Sequence, residues 1–127
     1  MKSNQDILDE FGKALVPCVY DDAINHFMSL LKGTTKWGIG KEYTEVFNKL
    51  SLDDQKILAE YMQKTIGTSI FAFLSLFEEN EQFKLIYEKN GKQVNLVEIS
   101  EMLKAEATID DGWISRFSEV AKDDEII

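Results

Sequence analysis

Histidine, cysteine and proline each occur once in these 127 residues, as His26, Cys18 and Pro17. A single cysteine cannot close an internal disulfide, and with one histidine it cannot complete a four-ligand zinc site. Bases are scarce as well: 14 Lys and Arg face 23 Asp and Glu, for a net charge of −9. Such a field repels phosphate backbones, which argues against nucleic-acid binding, and it attracts a basic protein partner. An acidic exterior also serves solubility alone. No apolar run approaches the ~18 residues of a membrane span. The richest, Ile70 to Phe77, is far shorter. The first residues, from Met1 to Ile7, do not form the apolar segment of a signal peptide, so the expected address is the cytoplasm, without membrane association.

What is present suffices for one core. The hydrophobic fraction is 44 %, with eight Phe, four Tyr and two Trp. A chain of this length buries roughly two-thirds of the surface its unfolded form exposes. A single domain over 1–127 is expected, with a frayed tail over 122–127. Charge is uneven along it. In residues 98–127 nine acids stand against Lys104, Arg116 and Lys122, a net of −6.

Apolar periodicity predicts a mainly α fold, a multi-helix bundle around a central helix over about 52–79. Residues 4–32 read as one bent helix, capped by Ser3 or Asn4, kinked at Pro17 and stopped by Gly33. On its apolar stripe Cys18 reads as a small core residue. A short helix follows the glycine-containing loop 33–40. Ser51 caps the central helix, with Asp53 and Asp54 in its first turn. From Ile70 to Phe77 that helix is apolar on nearly every side, which predicts other helices all around it. Asn90-Gly91 between short β-prone runs predicts a hairpin over about 83–96, against the alternative that the pair ends a helix. Asn95 with Glu98 can form a capping box for a helix through Ile99, Met102 and Leu103. A last helix starting at Asp110 or Asp111 would hold Trp113, Ile114 and Phe117.

Tests for chemistry return little. Around Gly33, Gly38 and Gly40 neither register satisfies G-x-x-x-x-G-K-[ST], so a phosphate loop is excluded. Cys18 and His26 lie eight residues apart, about 12 Å along a straight helix, beyond hydrogen-bond reach. The carboxylate pairs Asp53-Asp54 and Asp110-Asp111 read as favourable charge at helix N-termini rather than as an acid–base pair. No catalytic, cofactor-binding or metal-binding residue is expected.

Three features remain as candidate contact sites for a partner. Trp37 sits in the loop between helices. Asp110, Asp111, Trp113 and Arg116 combine acids, an aromatic and a guanidinium, the residue types of interface hot spots. Glu78, Glu79 and Glu81 oppose the dipole at the end of the central helix, which suggests a second role. For both tryptophans core packing is the competing reading.

The stretch Tyr20-Asp21-Asp22-Ala23-Ile24, followed by Phe27 and Gly33, and the stretch Asp111-Gly112-Trp113-Ile114-Ser115-Arg116-Phe117-Ser118 resemble small acidic bacterial proteins of uncharacterised function. Their general form is similar to that of immunity proteins, which neutralise toxins exchanged between competing bacteria. The resemblance implies an intracellular inhibitor whose acidic surface occludes a basic, nuclease-like toxin, and it assigns no residue a role. Two alternatives stand beside it. One is a small enzyme or ligand-binding domain with a pocket lined by Tyr61, Phe73 and Trp113. The other is a homo-oligomeric structural or phage-derived protein, which an exposed apolar patch would mark.

Overall fold

The computed structural model describes residues 2–34 and 40–122. Trp37 and residues 123–127, most of the expected frayed tail, lie outside them. The fold is mainly α with a small antiparallel hairpin.

Helix α1 (Asn4–Leu15) starts where Ser3 accepts from the Asp6 amide and Asp6 accepts from the Ser3 amide, a reciprocal cap. The expected kink at Pro17 takes the form of a π-helical turn over Val16–Asp21, after which α2 (Asp22–Lys32) continues to Gly33, whose φ of +69° ends it. The wider turn carries the chain past proline without the i→i−4 bond its missing N–H would make. It also shifts the helical phase. Val16, Tyr20 and Asp21 turn inward, while Cys18 and Val19 face solvent. The reading of Cys18 as a core residue is therefore corrected; His26 is exposed.

Helix α3 (Lys41–Phe47) buries none of its residues and is held through Phe47, which meets Phe27 of α2 edge-on at 5.6 Å. Helix α4 (Leu52–Glu79) is capped by Ser51, which accepts from the Asp54 amide, with Asp53 and Asp54 in its first turn. Its 28 residues span ~42 Å. One face, with Ala59, Ile70 and Leu74, packs on α2, the π turn and a 3₁₀ turn at Leu103–Ala105. The opposite face is open: Ile57, Tyr61, Phe73 and Leu76 are 63 %, 64 %, 55 % and 41 % exposed. Helices all around α4 were expected from its apolar composition, and that expectation is overturned. The element is central in sequence but lies at the surface.

Strands β1 (Ile86–Lys89) and β2 (Lys92–Asn95) pair in the register Tyr87↔Val94 and Lys89↔Lys92. Asn90 and Gly91 both have positive φ, +56° and +78°, the backbone a two-residue turn between twisted strands requires. Asn95 accepts from the Val97 amide and caps α5 (Leu96–Ile99), which stops at Ser100. The helix expected through Met102 and Leu103 is instead this single turn followed by the 3₁₀ turn.

Helix α6 (Trp113–Phe117) begins later than expected, capped by Gly112. Asp110 and Asp111 therefore occupy the preceding turn and are not first-turn residues. The core joins α1, the π turn, α2, the inner face of α4 and Leu96, Leu103, Ala107 and Trp113 from the last third of the chain.

Candidate functional site

Between α4 and the segment 107–115 runs an open cleft of about 890 Å³. One wall is the helical stripe Gln63, Lys64, Gly67, Thr68 and Phe71; the other includes Thr108, Ile109, Asp110, Asp111, Ile114 and Ser115, with Tyr20 reaching in from the π turn. The second wall is a chain of tight turns. Gly112 donates to the Ile109 carbonyl at 2.9 Å, Trp113 to Glu106 at 2.9 Å and Ile114 to Ala107 at 3.1 Å. A Cβ at position 112 would lie 2.5 Å from the Glu106 carbonyl oxygen, so this turn admits only glycine. Asp111 stands at φ +57°, a left-handed conformation that costs a non-glycine residue of order 1 kcal/mol.

Arg116 holds that turn in place. Its Nε donates to the Asp111 carbonyl at 2.8 Å, and its two terminal nitrogens grip the Asp9 carboxylate of α1 at 2.8 and 3.1 Å. The guanidinium's hydrogen bonds hold the Asp9 carboxyl below its ordinary range, and the same contacts raise Arg116. Tyr20, almost fully buried, has its phenol pushed up by burial and then by the adjacent Asp21 charge. The cleft thus offers hydroxyls, one amide, one lysine and two rim carboxylates. Among the described residues no group of three or more His, Cys, Asp or Glu could hold a metal ion.

The candidate contact residues separate into distinct fates. Asp110 and Asp111 are exposed on the cleft rim. Trp113 is wholly buried, packed edge-on to Phe11 at 5.6 Å and against Gly12 of α1, so it is a core residue and not a contact site. Arg116 serves Asp9 and the turn. Glu79 and Glu81 are exposed, whereas the Glu78 carboxylate accepts from the Lys104 amide and pins the 3₁₀ turn to the end of α4. That bond explains an acid placed against its own helix dipole. Trp37 lies outside the described residues. The pocket imagined from Tyr61, Phe73 and Trp113 does not form: two are exposed on α4's open face and the third is buried.

Sequence reasoning missed the open face itself. From Thr65 to Phe77 α4 carries no charged residue, in a chain that is 29 % charged. Exposed within that stretch are Thr65, Thr68, Ser69, Ala72, Phe73 and Leu76, and Ile57 and Tyr61 extend the stripe by helical steps toward the N-terminus. Thr68 belongs to both stripe and cleft. The absence of charge was visible beforehand and was read as burial.

No family model matches this chain, and neither a curated protein nor a solved structure does. No helix among the described residues is long and apolar enough to cross a membrane.

Proposed function

We propose that this chain is a protein-binding domain without catalytic chemistry of its own, an immunity-type inhibitor that acts in the cytoplasm by covering a basic, nuclease-like toxin. The uncharged stripe of α4 forms the core of the contact, and Glu79, Glu81, Asp110 and Asp111 supply an acidic rim. The observation that carries this reading is the charge-free exposed stripe on so charged a chain, because interface cores are depleted of charge and ringed by polar residues. Among the described residues the ion pairs Lys2–Glu10 and Arg116–Asp9 involve none of these four rim acids.

The test is to purify whatever basic protein a neighbouring gene encodes and present it to wild type and two variants; absence of any such protein would count against the reading. Asp110→Asn/Asp111→Asn should slow association and flatten its dependence on salt. Phe73→Glu should speed dissociation by at least about 100-fold, the scale of a lost hot spot. Wild-type binding by both variants, or an association rate indifferent to salt, would sink the proposal.

One observation favours a second reading, a ligand-binding cleft. The Nε2 of Gln63 is buried at the cleft wall without a hydrogen-bond partner among the described residues. A small molecule with an acceptor there would satisfy it. Saturable chemical shifts confined to the cleft on titration of a small-molecule library would decide for this alternative.

A further inference from the structure

Two polar groups on the floor of the α4 cleft have no hydrogen-bond partner among the described residues. Tyr20 is 4 % exposed and lines the cleft, yet its hydroxyl is unbonded. Gln63, half-buried on α4, holds Nε2 away from any acceptor. Buried polar groups are normally satisfied, so two in one cleft require an explanation. Both are donors. The phenol keeps its proton, because burial and then the Asp21 charge raise its pKa, and an amide NH₂ can only donate. The broad terminal torsion of glutamine lets Nε2 turn toward the cleft. An oxygen acceptor seated between the two would satisfy both.

The rim has the opposite character. The Asp110 and Asp111 carboxylates are exposed, and among the described residues neither takes part in an ion pair. Arg116 approaches Asp111 through its backbone carbonyl, while the terminal guanidinium nitrogens grip Asp9. With the Lys64 ammonium, the lining carries two negative charges and one positive, a net of −1. Ile109 and Ile114 add apolar surface to it.

We infer that the cleft binds a basic amino acid, free or within a peptide, with its carbonyl oxygen on Tyr20 and Gln63 and its guanidinium or ammonium on Asp110 and Asp111. The methylene stem of such a side chain packs on Ile109 and Ile114, and its single positive charge neutralises the lining. The inference rests on the ligand-cleft reading and adds to it the charge and the carbonyl of the ligand.

The experiment is an amide NMR titration of the whole chain with N-acetyl-arginine amide, free arginine and N-acetyl-norleucine amide, at ionic strength held constant with sodium chloride. Both arginine probes should give saturable shifts at residues 63–68 and 108–115, and the uncharged norleucine probe should bind at least about tenfold more weakly. Tyr20→Phe removes a hydroxyl without a partner in the fold, so it should leave stability intact and weaken the arginine probes by about threefold to tenfold. Asp110→Asn/Asp111→Asn should weaken them by at least about tenfold. Tighter binding of the blocked probe would support a peptide as the source, and tighter binding of free arginine would support the free amino acid. Equal binding of norleucine and arginine probes would leave a ligand cleft standing but overturn the basic amino acid. Arginine shifts indifferent to both sets of substitutions would overturn it too. So would the lack of a saturable shift with any probe, while the small-molecule library still tests the cleft itself.

Discussion

Ser118 donates its hydroxyl to the Asp21 carboxylate at 2.6 Å across 97 residues of chain. The other oxygen of Asp21 accepts from the Glu119 amide at 3.0 Å, and the Ser118 oxygen accepts from the Ala121 amide at 2.8 Å. Asp21 and Ser118 are both buried. One carboxylate, turned inward by the π turn, thus fastens the last described turn of the chain to the middle of the first long helix. The segments 20–24 and 111–118 meet at this bond.

Removing the fastener should be costly. Asp21→Ala leaves a buried hydroxyl and an amide without their charged acceptor, and we expect a loss of about 1.5–3 kcal/mol. Urea unfolding should show a lower midpoint at unchanged slope, and amide exchange at Glu119 and Ala121 should accelerate. Wild-type stability would mean that the network contributes nothing.

Two glycines in helices predict opposite signs. A Cβ at Gly12 would sit 2.5 Å from Trp113 Cγ, inside a buried ring, whereas one at Gly67 would meet Thr108 Cγ2 at 3.5 Å, an ordinary contact. Gly12→Ala should destabilise by about 1–3 kcal/mol despite alanine's helix preference. Gly67→Ala should stabilise by up to about 1 kcal/mol. Thermal unfolding of the pair checks both, and equal shifts would refute the packing described.

Asp9 predicts a pH dependence. Its carboxyl is held below the ordinary value of 3.8, first by hydrogen bonds from Arg116. The folded state therefore binds that proton less readily than the unfolded chain, so the pair's contribution is present above the unfolded value and disappears as pH falls through the folded one. The difference in urea midpoint between wild type and Asp9→Asn should be constant above about pH 5 and shrink below about pH 4. The pair is partly exposed, so the plateau should be small, about 1 kcal/mol or less. A difference that grows in acid would reverse the assignment.

Helix α4 offers a test of its two faces. Leu74 is fully buried and Tyr61 is 64 % exposed. Leu74→Ala should cost about 2–5 kcal/mol, and Tyr61→Ser should stay within about 0.5 kcal/mol of wild type. A large cost at Tyr61 would mean that the stripe is covered within the fold and unavailable to a partner.

Of the candidate site, the sequence revealed the acids and hid their setting. Asp110 and Asp111 were legible as an acidic pair, but only the turn from Glu106 to Gly112 places them on a cleft rim. Trp113 has the composition of a hot spot, and only Gly12, 101 positions earlier, explains its burial. The stripe on α4 was misread because lack of charge marks a core and an interface alike.

By itself the sequence determined the elements whose signals are local. Ser3 and Ser51 cap helices within three residues, Gly33 ends one through its own φ, and Asn90-Gly91 turns a hairpin, because those bonds and torsions lie inside a short stretch of chain. Tertiary structure alone decided which faces are covered. The π turn at Pro17 reset the phase that sends Cys18 out and Asp21 in, and segments about a hundred residues away supplied the partners for Asp21 and Gly12. Burial is a relation between distant surfaces, and a periodicity along one helix cannot state which of its sides finds a neighbour.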